Sequence, residues 1–235
     1  MLIDCVWEHN GNDSILYANS FVGAFARGAS KEEAILKMPQ EIRRYQLWLG
    51  ETPLDNYSVE IIQEKKSVLQ ISDADSDVLF TTEERPLTAE EYKYLKSLAM
   101  KSAEDFYALY LSFPDKHKSV LPYRKTFYGS VPRTAEEMYQ HTKNVNEYYF
   151  SEVGAEADNE GTIVSCRAKG FESLESITGY LSLEPIAGSY DEQWSVRKVL
   201  RRFIWHDRIH AKAMYRMGIL TFGRDAIPDL FRFDR

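Results

Sequence analysis

Residues 194–219, WSVRKVLRRFIWHDRIHAKAMYRMGI, decide how this chain is read. Val196, Phe203, His210 and Met217 stand seven apart, and Val199, His206 and Ala213 form a second row at the same interval. Two such rows make one inward stripe of a long helix, and the spacing predicts a helix over 191–217. His206 and His210 lie on that stripe one turn apart, so one helix face presents two imidazoles, an arrangement that suits a single metal ion.

The second helical stretch that matters is RTAEEMYQHTKNVNEYYF, 133–150. Thr134 with Glu137 three residues on is a capping-box start. Met138, His141, Val145 and Tyr148 recur at spacings of three and four, which turns His141 inward as well. Three of the five histidines thus occupy inward helical positions, while His9 and His117 fall in expected turns. Buried imidazoles without partners are costly, so a shared metal is the economical explanation for three of them. A core role for the histidines is the competing one.

The sequence His206-Asp207-Arg208-Ile209-His210 differs from the protease pattern H-E-x-x-H in having Asp at the second position. Asp207 is expected either to support a ligand from behind or to pair with Arg208 or Lys212. Arg197, Lys198, Arg201, Arg202 and Arg208 lie beside the pair on the same helix. They are read either as a solvated face or as holders of an anionic ligand, with Arg197 and Arg201 the candidates for the second role. Tyr148 and Tyr149 line the pocket or pack in the core.

Working outward, TAEEYKYLKSLAMKSAEDFYALYLSF (88–113) reads as a helix capped by Thr88 and Glu91 and ended by Pro114. PDKHKSVLPYRKTFYGSVP reads as an irregular connection, GAEADNEG as a loop, and residues near 165–183 as a third helix. Residues 72–87, SDADSDVLFTTEERPL, read as an acidic linker.

The first 71 residues have a different pattern. LIDCVW and ILYANSF are β-prone runs separated by the turn HNGNDS. Ser30 and Glu33 start a helix through Ala34, Met38, Ile42 and Tyr45, in which Pro39 predicts a kink or a late start. YSVEII and KSVLQI supply one further strand or a pair. The expected order is β-β-α-β.

Composition narrows the function classes. Of 235 residues, 44% are hydrophobic and 28% charged, as in a folded chain. Residues 1–87 carry 8 Lys+Arg against 15 Asp+Glu, and the remainder carries 21 of each, so the net charge of −7 belongs to the N-terminal third. That sign opposes nucleic-acid binding. No apolar run reaches membrane-spanning length and the N-terminus lacks a basic leader, so a cytoplasmic location is expected. Cys5 and Cys166 read as ordinary reduced thiols.

Two resemblances follow. FARGASKEEAILKMPQEI after two β-runs resembles the helix start of the HicB-like module, over roughly the first 65–70 residues. From Thr88 onward, the lone His141 followed by the H-x-x-x-H pair of His206 and His210 resembles the DinB-like (YfiT-like) superfamily. The resemblance implies an α+β chain of two domains: a β-β-α-β module over 1–71, a linker over 72–87, and an all-α up-down four-helix bundle over 88–235. It further implies zinc or nickel on the three histidines and a low-molecular-weight thiol or water activated there for transfer to an electrophile. A homodimer is also implied. The alternative is a non-catalytic regulatory protein whose N-terminal module mediates association.

Overall fold

The structure is a computed structural model that describes residues 1–73, 75–126 and 129–234. Four strands form its main sheet: β1 (Leu2–His9), β2 (Ser14–Ala18), β3 (Phe25–Gly28) and β4 (Ser58–Lys66), in the spatial order β3-β2-β1-β4. β1 pairs antiparallel with β2 and β2 with β3, while β4 lies parallel to β1. Helix α1 (Lys31–Trp48) makes the crossover between β3 and β4.

Alternation sorts the strand side chains into two clusters. Ile3, Cys5, Leu16, Ala18 and Ala26 join Ala34, Met38 and Ile42 of α1. Val6, Ile15, Tyr17 and Phe25 point the other way, onto Ile71, Val78, Phe80 and Trp205. Because both faces are covered, all of β2 is buried, which accounts for its unbroken apolar character.

The helices after residue 88 are α2 (Ala89–Leu111), α3 (Ala135–Lys143), α4 (Asn146–Ser151), α5 (Ile163–Ser176) and α6 (Val196–Phe222). Thr88 and Thr134 close reciprocal caps with Glu91 and Glu137, as their spacing predicts. Ser30 accepts from the Glu33 amide at the start of α1. α6 is the hub, packed against α2, α3 and α4.

Several expectations need correction. The part from 88 onward is not an all-α four-helix bundle. It contains two small hairpins, β5 (Lys125–Thr126) with β6 (Gly129–Ser130) and β7 (Ile186–Ala187) with β8 (Gln193–Trp194). Two-residue strands are too short to leave a periodicity in the sequence. The expected second helix is two helices, broken at Asn144 and Val145. The N-terminal order is β-β-β-α-β, because Phe25–Gly28 form a strand where the sequence reads as the approach to α1. The chain runs helically through Pro39 without interruption, with Ala34, Met38, Ile42 and Tyr45 of α1 buried.

Residues 72–87, apart from position 74, which lies outside the described residues, pack between the sheet and α6. Val78 and Phe80 are buried. Ser76 Oγ donates to the buried Glu8 carboxylate at 2.6 Å. Lys198 Nζ donates to the Asp77 carbonyl at 2.9 Å, and Arg201 Nη2 to that of Val78, also at 2.9 Å. α1 and α6 are tied directly. Arg208 Nη2 donates to Glu41 Oε1 at 2.7 Å, and the guanidinium lies 4.8 Å from the ring centroids of Tyr45 and of Trp48.

Candidate metal centre

α6 carries His206 and His210 on one face, and the last turn of α3 brings His141 against them. The Nε2 atoms of His206 and His210 are 3.1 Å apart. The ring centroid of His141 lies 5.3 Å from that of His206 and 4.6 Å from that of His210. One nitrogen from each ring falls within 4.8 Å of the others, so the three could hold a metal ion.

The donor set fits a divalent ion. With metal–nitrogen bonds of about 2.0–2.1 Å, two nitrogens 3.1 Å apart subtend roughly 95–100° at a common centre, between the octahedral and tetrahedral angles. Two ligands on one ion stand at most about 4.2 Å apart. The three donor nitrogens, all within 4.8 Å of one another, stand close to that limit.

Burial favours the neutral imidazoles that ligation requires. Desolvation by the packed helices holds His141 below the usual histidine range even though part of its ring is exposed, and pushes His210 down to about 3, with His141 adding to the shift of His210. His206 is held well below its ordinary value first by burial and then by His210, His141, Arg202 and Arg167. Around it stand Tyr149, whose ring centroid is 6.0 Å away, and Trp205 at 6.4 Å. The Nδ1 of His206 is buried with no protein hydrogen-bond partner. Packing, rather than a carboxylate behind the ring, therefore orients this histidine.

Asp207 does not supply that carboxylate. It is fully buried, and there Ser102 Oγ donates to it at 2.5 Å and both terminal nitrogens of Arg167 donate to its two oxygens. Its partner is thus neither Arg208 nor Lys212. Burial raises the Asp207 carboxyl, and Arg167 and Ser102 oppose that rise.

The structure gives the other sequence candidates structural contacts. Arg197 donates to the carbonyls of Arg85 and Pro86 and pairs with Glu91. Arg201 is buried against Glu83 and lies 3.9 Å from the ring centroid of Phe80. Tyr148 packs on Trp194 and Tyr149.

Of the tyrosine pair and the basic residues that the sequence offers beside the histidines, the structure sets Tyr149 and Arg202 nearest His206. Tyr149 sits one position from the expected stripe because the helix breaks at Asn144. The guanidinium carbon of the buried Arg202 lies 5.6 Å from the Tyr149 ring centroid and 5.2 Å from that of Trp205.

No family model, no curated protein and no solved structure matches this chain. Among the described residues, no helix is long and apolar enough to cross a membrane.

Proposed function

We propose that this protein is a divalent-metal-dependent enzyme in which His141, His206 and His210 hold zinc or nickel and leave coordination positions open toward solvent. The observation that carries the reading is the convergence of three imidazoles from two helices, with His141 on the accessible side. Imidazole donors suit both metals. The order of one histidine on an earlier helix and an H-x-x-x-H pair near the end of the sequence resembles the DinB-like superfamily, and it supports a thiol S-transferase activity.

A divalent ion at such a site lowers the pKa of a bound thiol or water, which makes it a nucleophile at neutral pH. The chain's own contributions are distinct. Burial keeps His206 and His210 unprotonated and ready to ligate. Tyr149 and Trp205 pack beside the His206 ring. The exposed position of His141 leaves room for a reactant to approach.

A second reading, a regulatory metal-binding protein, draws on a different observation. A cleft of about 600 Å³ between β3, α1 and α6 is lined by none of the three histidines, so a ligand held there would lie beside the metal and not on it.

Both readings require the metal, and the thiol separates them. Elemental analysis of untagged protein is expected to give near one zinc or nickel per chain, lost in the triple His141/His206/His210→Ala variant. A low-molecular-weight thiol is then expected to bind the metal-loaded protein and not His206→Ala. Equal thiol affinity in the two proteins defeats the enzyme reading. Absence of metal from both, even after soaking, defeats the site.

A further inference from the structure

A cleft of about 600 Å³ runs between β3, α1 and the stripe of α6 next to the histidine face. Its volume falls in the range of small-molecule sites. Five cationic side chains line it: Arg27, Lys37, Arg44, Lys212 and Arg216. Only two carboxylates do so, Asp13 and Glu41. Glu41 is shared between two cations, since its Oε1 accepts from the buried Arg208 at 2.7 Å and its Oε2 lies 3.5 Å from Lys212 Nζ, so it offsets Lys212 only in part. The cleft is therefore positive on a chain whose net charge is −7.

The cations are held in place by the fold. Arg27 Nη2 donates to the Ile71 and Ser72 carbonyls. Lys37 Nζ donates to the Arg27 carbonyl at 2.9 Å and to Glu33 at 2.5 Å. Arg216 is exposed and forms no ion pair among the described residues. Lys212 registers the crowding. Burial lowers its ammonium pKa, Glu41 opposes this, and Arg216, Arg208 and Arg44 lower it further. A group of negative charge placed among these side chains relieves their mutual repulsion, and guanidinium forks suit the oxygens of phosphate or carboxylate.

We propose that this cleft binds a small polyanion bearing phosphate or carboxylate groups, gripped between Arg27 and Lys37 on one wall and Lys212 and Arg216 on the other. The concave shape and the acidic chain favour a small molecule over a nucleic acid. The site is separate from the three histidines, none of which lines the cleft. It stands whether or not they hold metal.

The test is calorimetric titration of the full chain with inorganic triphosphate and with citrate at constant ionic strength. The two probes separate a phosphate ligand from a carboxylate one. Saturable binding of at least one probe at one per chain is expected. Arg216→Glu and Lys37→Glu change exposed side chains, and each is expected to weaken that binding about tenfold or more. Lys93→Glu makes the same charge change at an exposed position away from the cleft and is expected to leave it unchanged. His210→Ala is also expected to leave it unchanged. The proposal is overturned if neither probe binds saturably at millimolar concentration, if Lys93→Glu weakens binding as much as Arg216→Glu does, or if His210→Ala abolishes it. The last result would place the anion on the metal.

Discussion

Four residues advance an α-helix by about 6 Å and leave the two side chains about 40° apart around its axis. His206 and His210 therefore reach one point together, and burial keeps them neutral there. The same burial makes stability depend on pH. In the unfolded chain a histidine titrates near pH 6.5, whereas folded His210 titrates near 3. Between those values the unfolded state binds more protons, so metal-free protein loses stability as pH falls from about 6.5 toward 3. Urea denaturation across that window, in chelator, is expected to show a shallower acid slope for His210→Ala than for wild type. An identical slope would mean that His210 is not held neutral by the fold. Asp207 makes the opposite case, a charge that must stay paired. Asp207→Ala strands the buried Arg167 and is expected to cost about 3–5 kcal/mol in denaturant unfolding. Because this carboxylate is committed to Ser102 and Arg167 and bonds no histidine, the folded fraction is expected to retain metal. Its loss from folded protein would return Asp207 to the metal's surroundings.

At the scale of elements, α6 serves two partners that the sequence keeps apart. Its histidine face meets α3, and its opposite flank meets the N-terminal sheet. The turn between β2 and β3 sits directly on it. Gly23 has φ +90°, and a Cβ there would lie 2.3 Å from Ile204 Cγ2. Only glycine allows so close an approach with that backbone. Gly23→Ala is expected to lower stability by at least about 1–3 kcal/mol. A thermal melt unchanged from wild type would show that the turn moves off α6 at no cost. The caps of α2 and α3 were legible in the sequence because Thr-x-x-Glu is a local signal. The break at Asn144 and Val145 carries no proline or glycine to announce it, so the expected stripe runs through Tyr148, whereas Tyr149 is the ring beside His206.

At the scale of the molecule, one continuous core joins the sheet, α1 and the later helices. Trp205 of α6 belongs to the cluster built from strand residues and from Ile71, Val78 and Phe80. Arg208 finds its carboxylate on α1, and Trp48 of α1 donates to Asp105 of α2 at 2.7 Å. A fragment of residues 88–235 would expose Trp205 and leave Arg201 and Arg208 without most of their partners. It is expected to lack the cooperative thermal transition of the full chain in circular dichroism. A sharp transition in the fragment would instead establish an independent C-terminal domain. The sequence by itself determined the local features: the capped helices, the first two β-prone runs, and the His206–His210 pair one turn apart on a single helix, while His141, read as inward, is exposed. Each rests on the period of a single element or on a motif a few residues long. Only the tertiary structure decided the role of 72–87, the partners of Asp207, Arg197 and Arg201, and the basic cleft between α1, β3 and α6. Those depend on which distant segment packs against a side chain, and burial and pairing across the sheet–helix interface leave no periodic trace in one sequence.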